Sequence, residues 1–224
     1  MTERFGQKIA VKETVSQTLK PDAPVADPAK VRQILDGARK VFLNLGFDGA
    51  SMGDIARAAG VSKGTLYVYF ENKAELFSAL IADERKHSKR DFHLDPASPD
   101  IADDLRAYGR SLIAYISRAR NIQSVRTVMA IAEKFPKVGQ EFYRDGPQRG
   151  IDYLCGYLEA QSRAGRLVVA DGAMAARQLQ LLFHVGIINE LLYGIRGKPD
   201  DEEIGRVVDE AVTTFLARYQ PRRD

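Results

Sequence analysis

The sequence has little of several things that would point to particular classes of protein. Its 224 residues include one cysteine, no tryptophan and three histidines. The single thiol, Cys155, cannot form a disulfide within the chain or a cysteine-rich zinc site, which favours a reducing, intracellular setting and an inert thiol. His87, His93 and His184 are too scattered for metal-ligand spacing, so no metal site is expected.

Long apolar runs and a strong net charge are also missing. The N-terminus lacks the apolar segment of a signal peptide, and the most apolar stretch, residues 178–195, is too short and too polar to span a membrane. The formal net charge is +3, and the basic excess lies in residues 1–92, which hold 15 Lys/Arg and 12 Asp/Glu. We expect a cytoplasmic protein whose charge permits nucleic-acid binding without requiring it.

The motifs of common enzyme classes are not found. GVSKGT (60–65) lacks the spacing of a phosphate-binding loop and follows no strand pattern. There is no nucleophile elbow, no H-E-x-x-H and no carboxylate pair placed for acid-base chemistry. Acidic pairs such as Asp103-Asp104 stand at predicted helix starts, where they favour the helix dipole. We therefore expect no enzyme, no catalytic residue and no cofactor.

What the sequence does have is helical periodicity along most of its length. Residues 1–27 are predicted to be a flexible tail, and no strand pattern follows them. The predicted helices are about 28–45, 51–60, 62–70, 72–92, 99–119, 122–135, 141–165 with a break near Gly146-Pro147, 171–194 and 200–219. The predicted fold class is therefore all-α.

Two short helices joined by a tight glycine turn predict a helix-turn-helix. Ser51 and Asp54 form a capping box at the start of the first helix, and Gly60 stands where the turn needs a positive φ. Ala56 is small where the helices approach, and Leu66 faces inward. The second helix is too short to be stable alone, so packing must hold it and its outward positions are free for other work.

Those outward positions suit DNA. The N-terminal end of the second helix enters the major groove in such motifs, where a glycine allows close approach and a threonine meets base edges. Tyrosine, serine and lysine side chains reach phosphates, and a helix N-terminus adds free amides. The predicted DNA contacts are Ser51, Lys63, Gly64, Thr65, Tyr67, Tyr69 and Lys73. Packing for Tyr67 and Tyr69 and a solvated charge for Lys73 are the alternatives.

SMGDIARAAGVSKGTLYVYFENKAEL resembles the DNA-binding domain of the tetracycline-repressor (TetR/AcrR) family of bacterial transcription regulators. The shared elements are at 55–56, 59–62, 64–70 and 72–76, and the resemblance covers about 30–92. The resemblance implies a homodimer that binds a palindromic operator. By that resemblance the DNA contacts are Ser51, Lys63, Thr65, Tyr67, Tyr69 and Lys73. EKFPKVGQEFYRDGPQR and a later AGRL resemble the AefR-like C-terminal domains of some members, which implies ligand binding and dimerisation.

The predicted domains are a tail (1–27), a three-helix helix-turn-helix domain (28–75, with a fourth helix linking to about 92) and a larger helical ligand-binding and dimerisation domain (93–224). Residues 178–195 are apolar nearly all round, so helices 171–194 and 200–219 are predicted to pair with a second copy. The predicted effector-site residues, each of which can also be plain core, are Tyr115, Met129, Phe142, Tyr153, Tyr157, Phe183 and His184.

These observations together predict a repressor that a small apolar or amphipathic effector releases from its operator, cytoplasmic and associated with the nucleoid when bound to DNA. Two alternatives stay open. One is a helix-turn-helix regulator without a small-molecule ligand, controlled by a partner or acting as an activator. The other is an all-α enzyme or binding protein that uses the motif only for assembly.

Overall fold

A computed structural model describes residues 27–87 and 92–221 of the chain, without the side chains of 85–87. Within these ranges the chain forms helices joined by turns and no strand, which confirms the all-α fold class. The predicted tail, apart from Asp27, and the side chain of His87 lie outside the described residues. No helix among those described is long and apolar enough to cross a membrane.

The helices of the described ranges follow in chain order. They are α1 Pro28–Gly49, α2 Met52–Ala59, α3 Lys63–Tyr69, α4 Lys73–His87, α5 Ile101–Ile116, α6 Ala119–Ile131, α7 Pro136–Tyr143, α8 Arg149–Arg163, α9 Gly172–His184, α10 Ile188–Tyr193 and α11 Asp201–Tyr219, with a π-helical segment, Arg144–Gln148, before α8. The described residues divide into two compact units, 27–87 with 132–142 and 92–131 with 143–221. The predicted domain boundary near residue 92 stays a prediction.

Most helices start where a short polar side chain caps them. Asp27, Ser51, Ser62, Asp171 and Asp200 each accept a hydrogen bond from a backbone N–H in the first turn of the helix that follows. Each such cap satisfies an amide that the helix leaves free and typically contributes about 1 kcal/mol. Asp100 caps α5, so this helix begins two residues after the predicted start at 99.

The first unit is built around a close crossing of α1 and α2. A Cβ atom on Gly37 would lie 2.6 Å from the backbone nitrogen of Ala59, so only glycine fits there. Gln33 Nε2 donates to the Ala59 carbonyl oxygen at 2.7 Å across the same crossing. Gly46, with a φ of 69°, ends the regular part of α1 and returns Phe47 to the core. The sequence pattern does not reveal this crossing of α1 and α2.

Four local expectations were wrong. The predicted helix 122–135 ends at Ile131, and Pro136 begins α7, because proline at the first helical position loses no hydrogen bond. The predicted break at Gly146-Pro147 is a π-helical segment that accommodates the proline. The predicted helix 171–194 is interrupted after His184, where Gly186 has a φ of 71°. The helical spacing of apolar residues over 28–45 includes Leu45 and so predicts it on the buried face of α1, but Leu45 is 53% exposed.

The second unit has its core between α5, α8, α9 and α11. Its fully buried side chains include Leu105, Tyr108, Leu154, Phe183 and Phe215. A Cβ atom on Gly109 would lie 2.6 Å from Cε1 of Phe183, so this glycine lets the phenylalanine ring pack against α5. The apolar stripe of α11 is buried in the same core, and the outer face of that helix is polar.

Candidate DNA-binding surface and effector site

The turn before α3 has a defined hydrogen-bonding pattern. Gly60 adopts a left-handed φ of 64°, its N–H reaches the Arg57 carbonyl at 3.2 Å, and the Val61 N–H reaches the Ala56 carbonyl at 3.0 Å. This pair of bonds is the Schellman arrangement, which ends α2 sharply. Leu66 is fully buried, so α3 is fixed against the rest of the first unit although it has only seven residues.

The opposite face of α3 is open to solvent. Lys63 and Gly64 are exposed, and Tyr67 and Val68 are 45% and 40% exposed. A Cβ atom on Gly64 would have only Ser62 Oγ within 4 Å, at 3.7 Å, so the backbone there can be approached closely. Val68 is not among the predicted DNA contacts, although it lies on the same face because it follows Gly64 by four residues.

Two predicted contacts are more enclosed. Thr65 is half-buried, and its Oγ1 shares a hydrogen bond of 2.8 Å with Ser62 Oγ. Tyr69 is half-buried as well, beside the buried Phe70. The hydroxyl of Thr65 is thus part of the cap of α3, and its methyl group is the portion left for an apolar contact.

The N-terminus of α2 gathers polar groups beside α3. Ser51 Oγ donates to the Asp54 carboxylate at 2.5 Å, and Arg57 pairs with the same carboxylate at 3.3 Å. The Ser51 hydrogen bond first, and the charges of Arg57 and Lys63 after it, lower the pKa of Asp54. A Cβ atom on Gly53 would lie 2.9 Å from Lys63 Cε, so the lysine side chain folds across this glycine towards Ser51.

Lys73 has a different environment from the one predicted. Its Nζ donates to the carbonyl oxygens of Phe47 at 2.7 Å, Asp48 at 3.2 Å and Ala50 at 3.1 Å, and lies 4.6 Å from the centre of the Phe47 ring. An ammonium group has three N–H donors, and these bonds use all of them. Lys73 therefore ties the start of α4 to the connection between α1 and α2. No sequence pattern signals this contact.

Comparison with known proteins agrees with this geometry. Residues 34–80 match the family described as bacterial regulatory proteins, tetR family, and residues 103–221 match the AefR-like transcriptional repressor, C-terminal domain. The chain belongs to the TetR family. Members of this family are DNA-binding transcription regulators and not enzymes, which confirms the resemblance and the expectation that the protein is not an enzyme.

Relatives cover most of this TetR-family chain. The transcriptional repressor BepR of Brucella suis is 27% identical over 179 residues, which is 77% of this chain and 85% of BepR. The transcriptional regulator YhgD of Bacillus subtilis is 37% identical over 146 residues, 64% of this chain and 74% of YhgD. The alignments extend past the helix-turn-helix, so the similarity includes the second unit.

Solved structures agree with the fold. The flavonoid-responsive regulator FrrA has a TM-score of 0.76 and 30% identity, covering 88% of this chain and 100% of FrrA. A TetR-family regulator from Mesorhizobium loti also has a TM-score of 0.76, with 26% identity, and covers 86% of this chain and 98% of that protein.

The residues predicted for the effector site of this TetR-family protein lie in different surroundings. Phe142 is in the first unit and the other six are in the second. Met129 is 68% exposed, and the Tyr157 hydroxyl donates to the Asp104 carboxylate at 2.9 Å. Burial, with that hydrogen bond, raises the pKa of Tyr157. These two residues are therefore placed less favourably for a ligand than the remaining four.

Three of the remaining four, Tyr115, Tyr153 and Phe183, cluster through Tyr108 and Phe92, which are not among the predicted residues. Tyr108 has its ring centre 6.4 Å from that of Tyr153 and 6.3 Å from that of Phe183, and Phe92 lies between Tyr108 and Tyr115 at 5.8 and 5.7 Å. Burial raises the pKa of Tyr108 to about 12. Its place on the buried face of α5, three residues after Leu105, is the signal that would have identified it.

Proposed function

We propose that this TetR-family regulator is a repressor that binds a palindromic operator as a homodimer and is released when a small apolar or amphipathic effector binds the second unit. The repressor acts in the cytoplasm and is associated with the nucleoid while bound to DNA. The observation that carries the proposal is the exposed face of α3, which presents a lysine, a glycine and a tyrosine from a helix held by a tight turn.

The proposed reading of DNA follows from the exposure of these side chains. Gly64 and the methyl group of Thr65 approach base edges in the major groove, while Tyr67, Tyr69, Ser51 and Lys63 contact the backbone. Lys73 acts mainly by positioning the start of α4 and by adding positive charge, because its N–H donors are bonded within the chain. The first unit of each protomer thereby supplies one DNA-binding domain, called a reading head below, to one half of the operator.

The proposed dimer uses the outer face of α9 and the segment that follows. Met174, Leu181 and Val185 share this face and are 50%, 67% and 62% exposed, and Tyr193 and Ile195 are 83% and 72% exposed. A set of exposed apolar side chains of this kind is typical of a protein interface. The apolar stripe of α11 is buried within the chain, so this helix would contribute polar residues such as Thr213 and Thr214.

The proposed control is a population shift. The effector must bind the DNA-free arrangement of the two reading heads more tightly than the DNA-bound one, by a few kcal/mol. FrrA, 30% identical over 88% of this chain, is named as flavonoid-responsive, which supports a small organic effector for this protein too. The aromatic cluster around Tyr108 in the second unit is the proposed location.

The test is fluorescence-anisotropy binding to DNA from upstream of the protein's own gene, at about 50 and 200 mM salt. We expect sequence-dependent binding that weakens with salt and that Tyr67→Ala reduces by about tenfold or more. The matched control is Tyr143→Ala, which removes another exposed tyrosine, 51% exposed, and should leave binding unchanged.

Two results would contradict the proposal. Weak binding that is insensitive to both sequence and Tyr67→Ala would remove the DNA-reading role of α3. Operator binding that no small molecule releases would instead favour a regulator controlled by a partner protein, and a rise in transcription on binding would favour an activator.

A further inference from the structure

A buried nitrogen in the second unit has no hydrogen-bond partner. Among the described residues, the buried side-chain polar atoms without a partner are Ser117 Oγ and His184 Nε2. Buried polar groups in native proteins are nearly always paired, and an unpaired one costs roughly 1–3 kcal/mol. A histidine retained at such a position indicates that something other than the described residues pairs with it.

Within the part of the chain that the structure describes, no charged group contributes to the electrostatic surroundings of His184. Gln180 precedes it by four residues on α9, so the two side chains lie on the same side of the helix. The Gln180 side chain is hydrogen-bonded to the phenol of Tyr108, which is 1% exposed and whose pKa burial raises to about 12. Gly150 packs against this pair. A Cβ atom at position 150 would lie only 3.0 Å from Gln180 Nε2, so a larger residue there would crowd the Gln180 side chain.

Aromatic rings pack around Tyr108, the hydrogen-bond partner of Gln180. Phe183, the residue before His184, packs on Tyr108, and Tyr153 packs on Tyr108 from α8. The Tyr153 hydroxyl is held by the Phe92 carbonyl at 3.2 Å and the Leu94 N–H at 3.0 Å. Its ring is therefore fixed, and flat aromatic molecules stack well on rings that are already ordered.

The chemistry of the imidazole selects among ligands. Burial alone lowers the pKa of His184, with no charged neighbour contributing, so the ring is neutral. A hydroxyl group both donates and accepts, and so it pairs with either tautomer of a neutral imidazole. A carboxylate could pair only with the Nε2–H tautomer, and, like a cation, it would find no opposite charge among the described residues to compensate its burial.

We propose that His184 forms a hydrogen bond with the hydroxyl group of an uncharged aromatic effector, a phenol, that packs against the Tyr108 cluster. This rests on the proposed function only in taking the second unit as the effector-binding part. The role assigned to His184 is recognition of the hydroxyl, and the rings supply the contact area.

The first test compares three probes with one ring system: 2-naphthol, naphthalene, which lacks the hydroxyl, and 2-naphthoate, which replaces it with a charge. Binding to the full chain is measured by calorimetry and by fluorescence near pH 7. We expect 2-naphthol to bind at least about tenfold more tightly than naphthalene and 2-naphthoate to bind most weakly. His184→Phe should make 2-naphthol and naphthalene equal, whereas His93→Phe, at an exposed histidine, should change nothing.

A second readout does not depend on the variant folding. The chain has three histidines, so ¹⁵N-histidine labelling gives few signals. The Nε2 signal of His184 should shift with 2-naphthol and stay in place with naphthalene. Equal binding of the two probes, selectivity that survives His184→Phe, or no binding of any probe would overturn the inference.

The operator assay separates this inference from the proposed function. If 2-naphthol binds through His184 but leaves operator binding unchanged, recognition of the hydroxyl stands and release of the operator through occupation of this site is contradicted. If operator binding behaves as proposed while the probes show no dependence on His184, the repressor role stands and the inference fails.

Discussion

At the scale of single residues, two lysines, Lys63 in α3 and Lys73 at the start of α4, lie in different environments. Lys63 is exposed, and its side chain lies across Gly53 beside the N-terminus of α2. Lys73 is half-buried, and its ammonium group bonds three main-chain carbonyls of the α1–α2 connection. Both were predicted as DNA contacts from their positions at helix starts. These environments predict that Lys63 contributes to DNA affinity and that Lys73 contributes to the stability of the fold.

Substitution by methionine separates these roles, because it keeps the length of the side chain and removes the charge. We expect Lys73→Met to lower the free energy of unfolding by about 1–3 kcal/mol, since three carbonyls lose a charged donor. Lys63→Met should change it by less than about 0.5 kcal/mol. In operator binding, Lys63→Met should weaken affinity and reduce the salt slope by about 1.

Urea unfolding and anisotropy at several salt concentrations measure the two effects. A larger loss of stability in Lys63→Met than in Lys73→Met would show that the ammonium of Lys73 does not hold the α1–α2 connection as described.

The same comparison shows which residue roles a sequence reveals. Ser51 was identified as a cap because a cap depends on residues within three positions along the chain. The role of Lys73 was missed because its partners, Phe47 and Ala50, are more than twenty residues away. For His184, the sequence showed its place in an apolar stretch, but the missing partner of Nε2 is visible only when the helices around it are packed.

At the scale of elements, the interruption between α9 and α10 is the main departure from the sequence-based prediction. The apolar pattern continues through Gly186, so periodicity alone predicts one helix. The structure ends α9 at His184, and the turn lets Ile187 become fully buried. Arg126 of α6 then donates to the Leu191 and Leu192 carbonyls at 2.5 and 2.7 Å, which stabilises the end of α10. These contacts come from distant parts of the sequence, so the local pattern does not contain them.

Alanine at Gly186 distinguishes an interrupted helix from a continuous one by the sign of its effect. In the structure, Gly186 has a φ of 71°, where a Cβ atom costs about 1–2 kcal/mol, so Gly186→Ala should lower the free energy of unfolding. In a continuous helix the same change would raise it by about 0.5–1 kcal/mol.

Gly156→Ala provides the matched control. Gly156 lies within α8, and a Cβ atom there would have nothing within 4 Å, so this substitution should stabilise the protein. Both variants are compared by urea unfolding. Stabilisation by both would mean that α9 and α10 form one helix.

At the scale of the whole molecule, the candidate DNA-binding surface and the candidate effector and dimer surfaces lie in different units. The first unit carries the exposed face of α3, and the second carries the aromatic cluster and the apolar outer face of α9. The sequence predicted the all-α class and the helix-turn-helix because both depend on local patterns. It predicted two apolar helices for a dimer interface, yet the core of one chain uses the apolar stripe of α11. Which apolar face is left for a partner depends on tertiary packing, which periodicity does not specify.

Charge placed on the outer face of α9 should separate the proposed dimer. Leu181 is 67% exposed in the single chain and lies between Met174 and Val185 on that face, so Leu181→Glu would bury an unpaired carboxylate at the interface. We expect the dissociation constant of the dimer to rise by at least about 30-fold, corresponding to about 2 kcal/mol, in analytical ultracentrifugation. Operator affinity should fall with it, because two linked reading heads bind more tightly than one.

The control for this change is Leu43→Glu, which charges a leucine of similar exposure, 65%, in the first unit. It should leave the dimer intact, since Leu43 lies outside the proposed interface. A Leu181→Glu protein that remains dimeric would exclude the outer face of α9 as the interface. If Leu181→Glu instead stays dimeric and Leu43→Glu becomes monomeric, the contact between protomers lies on the first unit. The two DNA-binding domains of the dimer would then contact each other directly.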